Sequence, residues 1–273
     1  MIEFTSAQLY GWLAAFLWPF FRILALIGTA PLFGESTIPR RAKIALSAMI
    51  AMVVSPTIAQ LPVVPVYSFG GLMIILNEVG IGLATGFVMR LVFATVQQAG
   101  EIIGLQMGLS FASFFDRAAG GQTMVLSRFL NLIAVLLFLA LDGHLLMLGA
   151  LVDSFNSLPI GGNPGGNPGG NPGGTPLSAG GALAVARAGG MVFASGLLLA
   201  LPMIAALLIL NLAMGILNRA SPQLSIFAVG FPVTLSGGLL VLMLVMPQMG
   251  SYMQHMIEAG LEAVGTVLGQ FAR

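Results

Sequence analysis

The sequence predicts an all-α membrane protein of about six long apolar helices arranged in hairpins. Three observations predict it. Hydrophobic residues make up 58% of the 273 residues and charged residues only 7%, whereas soluble domains carry roughly a quarter charged residues; the mean hydropathy is +1.00. The apolar residues fall in continuous runs, several of them long enough to cross ~30 Å of hydrocarbon, which takes about 20 helical residues. Polarity does not alternate along these runs, which argues against a closed β-barrel, the other structure that satisfies its backbone in lipid.

The first run covers residues 7–33. Glu3 is the only charge ahead of it, with no positive stretch of the kind that opens a cleaved signal peptide, so this run is expected to stay in the mature protein. The second, residues 44–59, is short for a span and fits a helix buried in protein equally well. The third, residues 69–96, carries Gly82 and Gly86, and beyond it Gly100, Gly104 and Gly108 recur every four residues. Small residues at that spacing share one helical face and let another backbone approach closely. Such a stripe fits packing within the bundle or against another subunit.

Between the third and fourth runs a polar loop is expected, yet residues 104–116 read GLQMGLSFASFFD. Met107, Leu109, Phe111, Phe114 and Phe115 would form an unfavourable patch in water, so burial is expected. They suit a bundle core. They also suit the gate of a conduit, where flexible Met and rigid Phe exclude water and repack around a passenger.

The fourth run covers residues 129–152. After it, residues 161–176 read GGNPGGNPGGNPGGTP, in which glycine adds backbone entropy and each proline removes a donor, so a linker is predicted. A coil of that length spans about 20–24 Å, enough to join adjacent helices. The fifth and sixth runs, residues 191–217 and 226–249, flank a polar turn containing Asn218, Arg219, Pro222 and Gln223. In the last segment Met253, Met256, Ile257, Gly260, Leu261, Val264, Val267, Leu268 and Phe271 recur at helical spacing, away from Glu258 and Glu262. That pattern predicts an amphipathic terminal helix packed on neighbouring subunits or the membrane surface.

Basic residues near the run ends set an expected orientation. Arg40, Arg41, Lys43, Arg117, Arg128 and Arg219 lie on one side, and only Arg187 and Arg273 on the other. The turn at Asn218 and Arg219 is therefore placed on the cytoplasmic side, with both termini away from it. A reporter fused to either end is expected to be active only outside the cytoplasm.

Several function classes lose support at this stage. A net charge of +1 without a basic cluster leaves no footprint for nucleic acid. With no cysteine and only His144 and His255, neither a thiolate nor a histidine cluster for metal is available. Arg22, Glu78, Arg90, Asp142 and His144 lie inside apolar runs, where ionisable groups pair or line a path. Glu78 and Arg90 are expected to pair in the interior, and Asp142 and His144 to form a polar network at the loop end of the fourth run. A self-sufficient ion-coupled transporter, the alternative reading, would place acidic residues at matching positions of two halves, and no such repeat occurs. An intramembrane protease would need Ser110 and His144 to meet, but Ser110 sits in GLSF without the following glycine usual in such enzymes. No enzymatic activity is expected.

Six collinear motifs decide between the readings: PLFGESTIPRRAKIALS at 31–47, GLQMGLSFASFFD, LDGHLLML from Leu141, LPIG from Leu158, ARAGG from Ala186, and NRASPQLSIFAVGFPVTL at 218–235. Over essentially its whole length the chain resembles the FliR family of flagellar type III export-gate proteins. GFPVT at 230–234 looks like the flagellar branch rather than its virulence relatives. The resemblance implies one copy of this chain assembled with FliP and FliQ subunits in a right-handed spiral cone, next to FlhB and FlhA, in the bacterial inner membrane at the flagellar basal body. Its passengers would be unfolded rod, hook and filament proteins. Residues 1–152 would imitate FliP, 153–188 form a loop, 189–250 imitate a FliQ hairpin, and 251–273 form the terminal helix. The plug maps to residues 106–116, so Gln106, Met107, Leu109, Phe111, Phe114 and Phe115 would close the pore. No cofactor or metal is implied. Such a cone sits largely above the membrane plane, so the apolar runs need not all be ordinary spans. Relatives commonly have Asp-Pro after the plug, where this chain has Asp116 and Arg117.

Overall fold

In the computed structural model, residues 6–58, 62, 64–109, 125–161, 179–220 and 229–271 are described, and every regular element among them is a helix. Helix α1 spans Ser6–Thr29 and α2 spans Arg40–Val54. Proline at position 39, in extended conformation, sets the start of α2, and Lys43 Nζ donates to the Glu35 carbonyl at 2.9 Å, tying the incoming loop to the helix. The two helices form a hairpin, closed where Ser55 Oγ donates to the Ala15 carbonyl at 2.8 Å. With 15 residues, α2 is about 22 Å long at 1.5 Å per residue and does not reach across the hydrocarbon.

Helix α3, Phe69–Gln106, runs for 38 residues. Ser68 caps it: its Oγ accepts the Gly71 N–H at 3.1 Å, satisfying one of the orphan donors of the first turn. At about 57 Å, α3 is nearly twice the hydrocarbon thickness. The fourth apolar run is two helices, α4 at Val125–Ala140 and α5 at Gly143–Ser157. Asp142 breaks it by adopting the left-handed conformation, φ 54 and ψ 22, and its carbonyl accepts the N–H groups of Leu145 and Leu146 to start α5. Helix α6 covers Ala179–Ala220 and contains Pro202; α7 covers Phe231–Val245. A short 3₁₀ turn, Met246–Gln248, carries the chain from α7 into α8, Met249–Phe271.

Six apolar runs thus become four helices long and apolar enough to cross a membrane, at Tyr10–Thr29, Phe69–Gln106, Leu183–Ala220 and Phe231–Phe271, or five if the broken pair α4–α5 counts as one. The reasons are local. The second run is too short, as its length already indicates, and hydropathy does not register a break made by a single left-handed residue, as at Asp142.

The chain forms two compact units, one of Met1–Leu91, Asp142–Gly189 and Ile257–Arg273, the other of Val92–Leu141 and Gly190–Met256. In the first, Trp18, Ile23, Leu26, Ile27, Ile74, Met147 and Leu151 are fully buried. In the second, Phe93 and Phe138 meet edge to face at 5.2 Å, and Ser127 Oγ donates to the Gln97 carbonyl at 2.9 Å. Along α8, Met253, Ile257, Gly260, Val264, Val267, Leu268 and Phe271 are buried within this chain, with Glu258 and Glu262 exposed. Met256 and Leu261 of the same predicted stripe are half-buried, so most but not all of it is covered within this chain.

Candidate functional site

The last turn of α3 sets where that helix ends. Gly108 N–H donates to the Leu105 carbonyl and Leu109 N–H to the Gly104 carbonyl, both at 3.0 Å, with Gly108 at φ 80. This paired pattern is a Schellman ending, which needs a left-handed residue after the helix and strongly favours glycine there. Gly108, read from spacing as part of the packing stripe, is the helix stop. Replacing Gly108 with alanine is expected to cost about 1–2 kcal/mol, the strain of a side chain in that conformation, measurable as a lower unfolding temperature in detergent.

The stop turns Met107 inward. Met107 is 1% exposed while Leu105 is 55% exposed; Gln106 and Leu109 are half-buried and Gly104 is buried. The Met107 side chain lies against Gly238 of α7, so close that a Cβ added there would sit 2.6–2.9 Å from its Cγ, Cε and Sδ. Thr234, one turn earlier on α7, points its hydroxyl at the Met107 carbonyl at 3.5 Å and at the Phe231 carbonyl at 3.1 Å. Phe111, Phe114 and Phe115 lie outside the described residues, as do Pro222 and Gln223. Asn218 and Arg219 close the C-terminal turn of α6, where the Arg219 charge complements the helix dipole.

Three further glycines of α3, Gly82, Gly86 and Gly100, lie close to two different helices. Gly82 lies against the Arg22 carbonyl and the Ala25 side chain of α1, and Gly86 against the Thr29 hydroxyl and the Leu26 carbonyl, which would be 3.0 Å from a Cβ added at 86. Gly100 lies against Ser127 of α4, whose Cα would be 2.6 Å from an added Cβ. Gly196 of α6, which carries no repeat to flag it, presses on the Thr95 carbonyl at 3.0 Å by the same measure.

A buried polar centre lies in the first unit. Arg22 is fully buried and forks onto Glu78, Nε to Oε2 at 2.6 Å and Nη2 to Oε1 at 3.0 Å. Its Nη1 donates to Ser154 Oγ at 3.0 Å and Nη2 to the Leu158 carbonyl at 2.9 Å, while the guanidinium lies 4.2 Å from the centre of the Phe155 ring. Helices α1, α3 and α5 are joined at one charge. The expectation that Glu78 pairs with Arg90 is therefore corrected: twelve positions along one helix separate them by about 18 Å, and Arg90 is exposed. The expected network at Asp142 and His144 does not form either. The pair lies at a mid-run helix break, Asp142 is exposed, and His144 Nδ1 is buried without a hydrogen-bond partner. Among the described residues no group of three acidic or histidine side chains could hold a metal ion.

The arrangement is one of close helix packing around a buried ion pair. A family model, "Bacterial export proteins, family 1", matches residues 13–260. The chain belongs to that family. It is 44% identical over 272 residues to the flagellar biosynthetic protein FliR of Pectobacterium carotovorum subsp. carotovorum, covering 100% of this chain and 99% of the relative. To the FliR of Escherichia coli (strain K12) it is 43% identical over 270 residues, 99% and 98% of the two chains. To that of Buchnera aphidicola subsp. Acyrthosiphon pisum (strain APS) it is 38% identical over 258 residues, 94% and 95%. As a member of this export family, the chain is a membrane subunit of the flagellar export apparatus.

Proposed function

We propose that within this apparatus the chain is a gate subunit of the export channel, closing the path of unfolded flagellar proteins across the inner membrane. The observation that carries this reading is the Schellman stop at Gly108, which ends a 38-residue apolar helix and delivers Met107 into a buried position at the start of an aromatic segment. The chain works here by shape and apolar seal, without catalysis and without cofactor. Residues 106–116 form the plug, with Met107, Leu109, Phe111, Phe114 and Phe115 excluding water when it is closed.

The assembly in this reading contains FliP and FliQ subunits around one copy of this chain in a spiral, beside FlhB and FlhA. Two apolar faces support neighbours of that kind or lipid. On α6, Ile209 and Leu212 are 70% and 68% exposed, and on α7, Met243 and Leu244 are 73% and 75% exposed. Such surface on a soluble monomer would aggregate; in a membrane complex it is covered. The α6–α7 pair plays the part of a FliQ-like hairpin, and the part before it plays that of FliP.

Deleting residues 107–115 from the chromosomal copy tests the gate. Ion leakage with impaired swimming, at normal protein level, is expected; a stable, non-leaking and fully motile strain would overturn the reading. Ser110→Ala and His144→Ala, which would abolish an intramembrane protease, are each expected to leave motility intact. Shortening the GGNP repeat is expected to be nearly neutral in swimming assays, because each doubling of a flexible loop changes its closure entropy by only about 0.6 kcal/mol.

A further inference from the structure

We propose that one outward face of the first unit is a lipid-docking surface. At one edge of an apolar band as deep as the hydrocarbon of a bilayer, Arg40, Arg41 and Arg90 hold the headgroups of anionic phospholipid.

The band is clearest on α3. Phe69, Leu72, Leu76, Leu83 and Phe87 are all exposed and recur at intervals of three, four or seven, so they share one side of the helix; Arg90, also exposed, ends the row. From Phe69 to Arg90 the helix rises about 32 Å at 1.5 Å per residue, close to the ~30 Å of a hydrocarbon core.

Helix α2 brings further cations to the arginine end. Helices α1 and α3 run side by side in the same direction: Tyr10 meets Tyr67 edge to face with ring centres 5.8 Å apart, and near the end of α1 Leu26 and Thr29 meet Gly86. Arg90 lies about one turn beyond Gly86 and so level with the end of α1. Helix α2 packs along α1 with Ser55 at Ala15, so its 15 residues put Arg40 and Arg41 at that same end. Among the described residues none of the three guanidinium groups has a hydrogen bond or an ion pair. Lys43 beside them is tied to the Glu35 carbonyl. Glu35 is the single acidic residue between α1 and α2, and α2 itself carries none, so positive charge dominates this edge.

The opposite end is aromatic, with Tyr10, Trp12 and Tyr67 exposed. Tyrosine and tryptophan gather at headgroup level in membrane proteins, and basic side chains at the surface attract anionic lipid. A protein neighbour could cover an apolar face of any length. A band of bilayer depth, with aromatic rings at one edge and arginines without partners at the other, is matched to lipid.

The full-length chain, purified in a neutral detergent, is titrated with phosphatidylglycerol, phosphatidylcholine or inorganic phosphate while its unfolding temperature is followed by helical signal. Phosphatidylglycerol alone is expected to raise that temperature, and to raise it less at high salt because exposed charges are screened. The Arg40→Gln, Arg41→Gln, Arg90→Gln variant is expected to unfold with the parent in the absence of lipid and to lose most of the response, its affinity for the lipid falling roughly fivefold per charge removed. The corresponding Lys variant is expected to keep it. Equal shifts from the two lipids, a shift from inorganic phosphate, a shift insensitive to salt, or a Gln variant that responds as the parent does would each overturn the proposal. The assembled apparatus gives a second reading. The export complex is isolated through a tag on this chain carrying Leu76→Trp and reconstituted with lipid brominated along its acyl chains. Strong quenching of the added fluorescence is expected; an unquenched signal would place a neighbouring subunit on that face and overturn lipid as its occupant.

Discussion

Arg22→Met is expected to destabilise the chain by about 3–5 kcal/mol, the range seen when one partner of a buried ion pair is removed. Methionine fills much of the arginine volume, so the loss is chiefly electrostatic. Glu78 would be left 1% exposed with no cation, Ser154 Oγ would lose one donor, and the Leu158 carbonyl would lose the Nη2 bond. Against a total stability of about 5–15 kcal/mol this is a large fraction, and steady-state protein level should fall accordingly. The double replacement Arg22→Met, Glu78→Leu removes both charges and is expected to recover most of the loss, because two well-packed apolar groups can replace a buried pair at little cost. Arg22→Lys should fall between the two, since an ammonium cannot reproduce the planar fork. Unfolding of the purified chain in detergent, followed by helical signal, measures all three. Equal destabilisation by the single and double replacements would show that shape, not charge, is what the centre supplies.

The overall helical character was readable because continuous apolar runs in a chain with 7% charge admit few other solutions. The breaks were not. Asp142 and Gly143 interrupt a run whose composition stays apolar on both sides, and a single left-handed residue leaves no periodic trace. Arg22 and Glu78, which pair, are 56 positions apart on different helices, a relation that only packing establishes; Arg90 was the nearer candidate along the chain and is exposed. Glycine spacing marked a smooth face on α3 without saying what lies against it. One stretch of that face meets α1, the next meets α4, and Gly108 belongs to a turn whose hydrogen bonds, not its spacing, require it. Gly196 and Gly238 escaped notice because neither belongs to a repeat. Each could have been flagged as a helix-interior glycine in a span rich in leucine, where a stability cost asks for a contact to justify it.

Gly82→Val is expected to be nearly as damaging as Arg22→Met, although it changes no charge. The added Cβ alone would enter the Arg22 carbonyl and stand 2.9 Å from the Ala25 Cβ, and a helix backbone cannot step aside as a flexible side chain can. The cost should therefore reach or exceed the upper end of the ~1–3 kcal/mol typical of overpacking. Gly82 is one turn beyond Glu78 on α3, so the close approach it permits is also what brings the Arg22 fork within reach of the carboxylate. Forcing α1 outward at Gly82 should then weaken the ion pair, and the two effects should not add. In a double-mutant cycle, Gly82→Val combined with Arg22→Met is expected to cost less than the sum of the two single changes, as for residues that share a contact. Gly80, two positions earlier, supplies the internal control: nothing stands within 4 Å of a Cβ built there, so Gly80→Ala should stabilise the helix by about 0.5–1 kcal/mol. Strict additivity at Gly82 and Arg22 would separate the glycine contact from the charge centre and leave α1 held by two independent devices.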